Sequence, residues 1–230
     1  MHKLKRPHTF KLKVLKRMKK LNTAIVATAL LLASGVSKAE LIVNGGFEAD
    51  SIGSSPWTYL SSVTGWTSSG TFEIQKGVDA GGLSGFNSAY EGTQYLELNS
   101  TGLTTVSQLL NTTIGETYTL SFAFSGRPDT PSALKSVIEV YWDGAKLGKV
   151  TANPTSGWIE ITFEDIVATS TSTLLSFKSL GPVAAPSYGS YLDAVSVVAA
   201  VPEPSTYGML ALGLGVIGFV GSRKKKQLSA

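Results

Sequence analysis

Residues 116–128 read ETYTLSFAFSGRP, and this stretch decides the fold class. Between Tyr118 and Phe124, an aromatic residue or leucine stands at every second position, and threonine, serine or alanine stands between them. Successive side chains of a β-strand point to opposite faces of the sheet, so such alternation is typical of a strand with one buried face. The stretch therefore predicts a strand at the core of a β-sheet.

The same kind of pattern continues on both sides of this strand. Residues 137–142 and 146–151 flank Asp143-Gly144, a dipeptide that favours a tight β-hairpin turn. Turn-forming residues separate the other predicted strands, which are 41–43, 72–75, 94–98, 105–110, 158–163, 173–178 and 191–198. No stretch of this region has sustained helical periodicity. The pattern predicts an all-β body, an antiparallel β-sandwich or jelly roll.

The C-terminal residues differ in character from this body. The segment 199–206 has the composition of a linker, residues 207–222 contain an uncharged run, and residues 223–230 begin with four consecutive cations. A helix over 207–220 would span about 21 Å at roughly 1.5 Å per residue, which is short for a bilayer and also fits a buried core helix. Because cations stay on the cytoplasmic side, the basic end favours a short transmembrane helix over 207–222.

This end of the chain resembles the PEP-CTERM sorting signal of Gram-negative bacteria that make extracellular polysaccharide. The similarity lies in VPEPST at 201–206, the glycine-rich apolar run and the basic terminus. It implies that a membrane-embedded exosortase recognises Pro202, Glu203 and Pro204 and removes the tail. The protein would then be released or transferred to the cell surface.

The N-terminus predicts a second targeting segment. Nine Lys/Arg residues lie within residues 1–20, an apolar stretch covers 23–33, and Ser37-Lys38-Ala39 places small residues at a cleavage site. This order predicts a signal peptide over residues 1–39, cleaved by signal peptidase after Ala39. Two alternatives remain open: translation can start at Met18, or the segment can stay as a membrane helix. In each case the body faces the periplasm after crossing the inner membrane.

The charge and composition of the body exclude several classes of function. Residues 40–201 contain six Lys/Arg and fifteen Asp/Glu, a net charge of −9, so a nucleic-acid partner is not expected. The chain has no cysteine, and its two histidines, His2 and His8, lie in the predicted signal peptide. Ser-His-Asp and Cys-His catalysis and His-ligated zinc are therefore excluded from the mature protein.

Four segments of the body resemble galactose-binding-like jelly rolls, in particular the bacterial choice-of-anchor domains. They are LIVNGGFEAD at 41–50, EGTQYLELNS at 91–100, ETYTLSFAFSGRP at 116–128 and YLDAVSV at 191–197. The resemblance implies that the first and last strands lie close together and share a structural calcium ion. Glu48 and Asp193 would supply side-chain oxygens, with Asp50 as a weaker third ligand, although both can equally be solvated turn or edge residues. No other cofactor is expected.

Aromatic residues beside the predicted loops are the candidate ligand-binding residues. Flat rings stack on the apolar faces of sugars, and the candidates are Trp57, Tyr59, Tyr90 and Tyr188. Trp66 and Trp158 are assigned instead to the core.

The sequence therefore predicts an exported, noncatalytic protein of the cell surface or extracellular matrix that binds carbohydrate. Its expected partners are exosortase, signal peptidase, extracellular polysaccharide and, before processing, the membrane. One alternative is a structural or adhesive biofilm-matrix protein that acts through self-association or protein contacts. The other is a carboxylate-based glycoside hydrolase, for which Glu91/Glu97 and Glu164/Asp165 are the candidate pairs.

Overall fold

A computed structural model of the chain describes residues 39–76, 88–154, 157–200, 208 and 210–215. Eleven β-strands make up its regular structure between residues 57 and 199. They are β1 (Trp57–Leu60), β2 (Thr67–Ser68), β3 (Phe72–Gln75), β4 (Tyr95–Glu97), β5 (Thr105–Asn111), β6 (Thr117–Gly126), β7 (Ser136–Trp142), β8 (Ala145–Ala152), β9 (Ile159–Val167), β10 (Ser172–Gly181) and β11 (Ser190–Ala199).

The strands form two antiparallel sheets. The six-stranded sheet has the order β1-β3-β4-β11-β6-β9, and the five-stranded sheet has the order β2-β5-β10-β7-β8. Alternate residues of both sheets meet in one apolar core. Within it, the rings of Phe122 from β6 and Phe177 from β10 lie 5.0 Å apart in an edge-to-face arrangement. The predicted antiparallel β-sandwich is thus confirmed.

The last strand lies in the middle of the six-stranded sheet. β11 pairs with β4 on one side and with β6 on the other, and its register with β6 shifts between Asp193 and Ser196. Such a β-bulge bends a strand and redirects its side chains. Ala194, inside the bulge, has a positive φ of 49°. The bulge therefore fixes the direction of the Asp193 side chain next to it.

The predicted strands agree with the structure except near the N-terminal end of the body. The prediction of a strand at 41–43 is wrong. The Leu41 amide donates to the Val197 carbonyl next to a single bridge between Glu40 and Val198, and the Val43 backbone bonds the Gln108 side chain instead of a neighbouring strand. Because the segment carries a tight turn at Asn44–Phe47, with positive φ at both ends, it cannot continue as a ladder. β1 and β2 were not predicted, since their sequences lack clear alternation.

Both predicted targeting segments lie largely outside the described residues. Residues 1–38 and 201–207, which include the predicted signal peptide and Pro202–Pro204, are not described. Of the predicted helix 207–222, residues 208 and 210–215 are described and are helical. Within the described part of the chain, no helix is long and apolar enough to cross a bilayer.

Candidate ligand-binding face

One face of the six-stranded sheet is turned away from the core and is lined by polar and aromatic side chains. Phe72 and Ile74 of β3 and Leu96 of β4 belong to the core. Their neighbours Glu73, Gln75, Tyr95 and Glu97 must therefore point to the opposite side, because side chains alternate along a strand. We call this side the outer face.

Strand pairing aligns these outer-face residues into a row across the sheet. Tyr59 of β1 lies opposite Glu73, Glu73 lies opposite Glu97, and Glu97 lies opposite Tyr191 of β11. Directly opposite residues in an antiparallel pair have Cβ atoms about 4.5–5.5 Å apart, so their side chains interact. The sheet therefore brings two glutamates together between two tyrosines.

The Glu97 carboxylate is the centre of a hydrogen-bond network. The Gly189 amide donates to its Oε1 at 2.5 Å, and Nη1 of Arg127 donates to Oε1 and Oε2 at 3.1 and 3.0 Å. The Gln75 side-chain amide donates to Oε2 and, at 3.2 Å, also to Oε1 of Glu73. Glu97 is only 1% exposed. These donors compensate for the loss of water around the carboxylate.

Burial and the proximity of two carboxyls make this site favour protonation. Burial, together with the neighbouring Glu73 charge, raises the pKa of Glu97 to about 8. Burial also raises the pKa of Glu73, whose carboxyl is within hydrogen-bonding reach of Glu97. Two adjacent carboxylates rarely ionise together in a desolvated site. Near neutral pH, the pair therefore holds one proton.

Arg127 remains charged and is fixed in place by two carboxylates. Its Nε and Nη2 donate to the two oxygens of Asp129 at 2.6 and 3.1 Å, and its Nη1 binds Glu97. Although burial lowers the pKa of Arg127, hydrogen bonds to Asp129 and the charge of Glu97 raise it above its usual value. The ring of Tyr188 covers the guanidinium at 4.9 Å, a cation–π contact.

A second group of aromatic rings continues the outer face toward β9. The Trp158 ring lies 5.5 Å from Tyr95, 6.3 Å from Tyr191 and 6.2 Å from Tyr90. The Trp158 indole N–H donates to the Ser88 carbonyl at 2.9 Å, which connects the ring to the loop that contains Tyr90. Tyr90 is 47% exposed, so this group reaches solvent.

The four predicted sugar-stacking residues fall at three places on or beside this face. Trp57 and Tyr59 are neighbours on β1, with ring centroids 5.3 Å apart, and each is 45% exposed. Tyr90 contacts Trp158, and Tyr188 covers Arg127. The structure thus places all four around the row of glutamates.

Several residues of the site were not predicted from the sequence. The assignment of Trp158 to the core is wrong, because it stands half-buried on the outer face, whereas Trp66 is in the core as predicted. The network residues Glu73, Gln75, Arg127 and Asp129 were also missed. A usable signal was present in FEIQ at 72–75 and QYLEL at 94–98, where polar residues alternate with core residues.

The two predicted calcium ligands hold the loop that contains Tyr90. Oε1 of Glu48 accepts hydrogen bonds from the Thr93 and Gln94 amides at 2.6 and 2.7 Å. Oδ2 of Asp193 accepts one from the Glu91 amide at 3.0 Å. Gly92 has a positive φ of 66°, and a side chain there would collide with the Glu48 carboxylate. The loop is therefore built around these two carboxylates.

The geometry around Glu48 and Asp193 partly fits a cation. A Cβ atom added to Gly46 would lie 3.8 Å from Oδ1 of Asp193 and 3.9 Å from Cγ of Glu48, so both side chains flank this glycine. Burial raises the pKa of Asp193 to about 7, and the Glu48 charge adds to this effect. Asp50 instead binds the Thr64 amide and side chain. No cluster of three or more Asp, Glu, His or Cys suited to a metal occurs among the described residues, so carbonyl oxygens would have to complete a calcium shell.

The two carboxylate pairs considered for hydrolysis are not brought into an active-site arrangement. Glu91 is exposed, whereas Glu97 is buried in its network. Glu164 and Asp165 are adjacent, exposed residues of β9. As predicted from alternation, Glu97 shares the outer face with Tyr95.

Calcium binding predicts a shift in melting temperature. If Glu48 and Asp193 bind the ion, saturating calcium should raise the Tm and chelation should lower it, because a ligand specific for the native state stabilises that state. The response should disappear in Glu48→Gln and persist in the exposed-carboxyl control Glu116→Gln, as measured by differential scanning fluorimetry. An identical melt with calcium and with chelator would contradict the calcium site.

The raised pKa of Asp193 predicts that stability declines as pH rises. The folded state keeps a proton on Asp193 up to about pH 7, whereas the unfolded state releases it near pH 3.8. The contribution of this proton to the free energy of unfolding is therefore complete below pH 3.8 and is lost as pH rises through about 7. The loss is at most about 1.4 kcal/mol per pH unit.

Denaturant unfolding of the metal-free protein between these pH values would measure this effect. Asp193→Asn should have a flatter profile than the wild type, and Glu160→Gln, an exposed carboxyl on the same sheet, should keep the wild-type slope. If the free energies of unfolding of the wild type and Asp193→Asn differ by the same amount at every pH, the raised pKa of Asp193 is contradicted.

Comparison with known proteins identifies the body and its C-terminal signal. Residues 40–198 match the family described as protein of unknown function (DUF642), and residues 200–225 match the PEP-CTERM protein-sorting motif. None of the curated protein sequences matches this chain.

Solved structures similar to this chain include three carbohydrate-binding modules. TmCBM61 in complex with β-1,4-galactotriose is 16% identical, with a TM-score of 0.46 over 70% of this chain and 99% of that chain. The xylan-binding domain of CBM 22 is 18% identical, with a TM-score of 0.44 over 71% and 96%. A family 35 module from Clostridium thermocellum is 12% identical, with a TM-score of 0.40 over 72% and 100%. By its match over residues 40–198, the chain belongs to the DUF642 family, and a PEP-CTERM sorting motif follows the matched region.

Proposed function

We propose that this protein is an exported, exosortase-sorted component of the cell surface or extracellular matrix that binds polysaccharide without cleaving it. The PEP-CTERM motif at 200–225 supports sorting by exosortase and delivery to the outside of a Gram-negative cell. The acidic charge of the body supports a partner other than nucleic acid. The final location would be the polysaccharide matrix of a biofilm.

The arrangement of the outer face is the observation that carries this proposal. Exposed rings stand at the β1 edge, in Trp57 and Tyr59, and again near β9, in Tyr90 and Trp158. Five strand spacings separate β1 from β9, about 24 Å at roughly 4.8 Å per spacing. Exposed rings at both ends of the face suit stacking on a sugar chain that crosses the strands.

The buried glutamates support a noncatalytic role. Glycoside hydrolases place their two carboxyls about 5–10 Å apart on either side of the scissile bond. Glu73 and Glu97 are within hydrogen-bonding reach of each other and are only 4% and 1% exposed. The side-chain nitrogen of Gln75 donates to both carboxyls and occupies the space between them, which leaves no room for a sugar ring. We infer that these residues organise the binding face and do not perform hydrolysis.

Removing the exposed rings of β1 should weaken polysaccharide binding. The double variant Trp57→Ala/Tyr59→Ala is expected to lose about 2 kcal/mol of binding free energy, which lowers the affinity roughly thirtyfold, because aromatic anchors dominate such contacts. Affinity electrophoresis with the exopolysaccharide of the host would measure the loss.

Tyr141→Ala provides the matched control, since Tyr141 lies on the outward side of the five-stranded sheet. Equal retardation of the wild type and the β1 double variant would contradict the proposed face. Release of new reducing ends from the polysaccharide would contradict the noncatalytic role.

A second candidate function, self-association in the matrix, is favoured by one apolar pair. Leu109 of β5 and Leu174 of β10 are paired across the five-stranded sheet and are 65% and 40% exposed. Exposed apolar contacts of this kind favour association between copies of a chain. This surface lies on the sheet opposite to the outer face, so the two functions are separable.

The self-association candidate predicts a concentration-dependent mass. Light scattering should show oligomers of the wild type at high concentration that Leu109→Ser/Leu174→Ser reduces to monomers. The variant Val183→Ser, which removes another exposed apolar side chain, should behave as the wild type. A monomeric wild type at every concentration would exclude this candidate.

A further inference from the structure

The charges around the row of glutamates do not balance. Glu73, Glu97 and Asp129 are three carboxyls near one cation, Arg127. The guanidinium is occupied by ion pairs with Glu97 and Asp129. Among the described residues, Glu73 has no salt-bridge partner and binds only the Gln75 amide and the Glu97 carboxyl. Even with the one proton that Glu73 and Glu97 hold between them, the site carries one more negative charge than positive.

A buried hydroxyl in the same row also lacks a partner. Tyr191 lies directly opposite Glu97, and its side chain is fully buried on the outer face. Its hydroxyl oxygen has no hydrogen-bond partner within the described residues. An unpaired buried polar group costs free energy unless another molecule completes it. This second observation, independent of the charges, indicates that the row is organised around a polar ligand.

The row opens to solvent at its β1 end. Tyr59, the cross-strand neighbour of Glu73, is 45% exposed and pairs with the equally exposed Trp57. The faces of these rings carry negative potential and attract cations. The Glu73 charge adds to this potential, and it acts on the Tyr59 hydroxyl itself. Glu73 beside these rings is only 4% exposed, so a cation that stacks on the rings meets its negative potential and reaches the carboxyl once the side chains of this edge move aside.

The net charge of the body also disfavours anionic ligands. Its net charge of −9 between residues 40 and 201 repels polysaccharides that carry uronate, sulfate or phosphate groups. Neutral and cationic glycans remain compatible with it. The excess of negative charge at Glu73 favours a cationic glycan over a neutral one, because an uncharged sugar leaves that carboxyl without a partner of opposite charge.

We propose that the outer face selects glycans that carry protonated amino groups, as in polymers of de-N-acetylated glucosamine, and that Glu73 is the residue that selects the amine. This inference rests on the proposed polysaccharide-binding function. An ammonium group has three donors, which can bind the Glu73 carboxylate while the sugar ring stacks on Tyr59 or Trp57. N-acetylation removes both the charge and two of these donors. The amine would then be the recognised feature and the sugar chain the scaffold that presents it.

Two oligosaccharides that differ only in acetylation would test this selection. Isothermal titration of the purified full chain would compare a β-1,4-linked glucosamine hexamer with the N-acetylglucosamine hexamer of the same linkage. The amine form should bind on the order of tenfold more tightly at low ionic strength, and added salt should reduce this preference. Glu73→Gln should abolish the preference, so that the two hexamers bind this variant with similar affinity.

Glu116→Gln is the matched control, because Glu116 is an exposed carboxyl that precedes β6 and lies outside the strands of the outer face. It should keep the preference, and equal loss in both variants would overturn the inference in favour of a diffuse charge effect. Because the Glu73 site is buried, the Tm of Glu73→Gln is measured alongside. If that variant is unstable, Asp129→Asn is used. It removes a carboxylate beside Arg127 but leaves Glu73, so it should keep the preference for the amine, and loss of the preference would contradict the inference.

The outcomes separate this inference from the function on which it rests. If both hexamers bind with equal affinity and the β1 double variant weakens both, polysaccharide binding stands and amine selection is overturned. If neither hexamer nor the host exopolysaccharide binds, the proposed function fails and the inference fails with it. A tighter complex with the acetylated hexamer also overturns the inference.

Discussion

The structure depends on the pairing of β11 between β4 and β6. This single strand joins the two halves of the six-stranded sheet, and no sheet-spanning outer face exists without it. It supplies Tyr191 to the row of glutamates and Asp193 to the loop that contains Tyr90. The bulge after Asp193 bends β11, so that Tyr191 points to the row of glutamates and Asp193 to the loop that contains Tyr90.

Desolvated carboxyls are the second constraint on the outer face. Glu97 is stable there only because backbone, amide and guanidinium donors converge on it. Each donor comes from a different segment of the chain, namely β3, the residue after β6 and the loop before β11. The network therefore fixes the positions of those segments relative to one another. On this side of the sheet, hydrogen bonds hold the segments together in the way that apolar packing does in the core.

Much of the fold could be predicted from the sequence because strand alternation is a local property. The pattern at 116–128 and the Asp143-Gly144 hairpin predicted β6, β7 and β8 correctly. β1 was missed because it has only four residues, WTYL, and none of them is fully buried, so no core-facing side stands out in its sequence. The segment 41–43 was wrongly predicted because its apolar residues resemble a strand, while the turn that follows prevents one.

The candidate binding face was less predictable because its residues meet only through strand order. Glu73 and Glu97 are adjacent because β3 and β4 pair, and no local pattern indicates which strands are neighbours. Arg127 lies just after β6, which is two strands away from β4 across the sheet, and its long side chain bridges that distance. Trp57, Tyr59, Tyr90 and Tyr188 could be named as candidates because an aromatic residue beside a turn is visible in a single segment. Their common location could be seen only in the folded sheet.

The position of β11 has a consequence for the order of biogenesis. It is the final strand of the sandwich to leave the ribosome, yet it occupies an interior place in its sheet. Its neighbours β4 and β6 cannot acquire their shared partner while the chain is incomplete, and contacts between such distant segments form slowly. The six-stranded sheet can therefore be completed only after nearly the whole body has been synthesised.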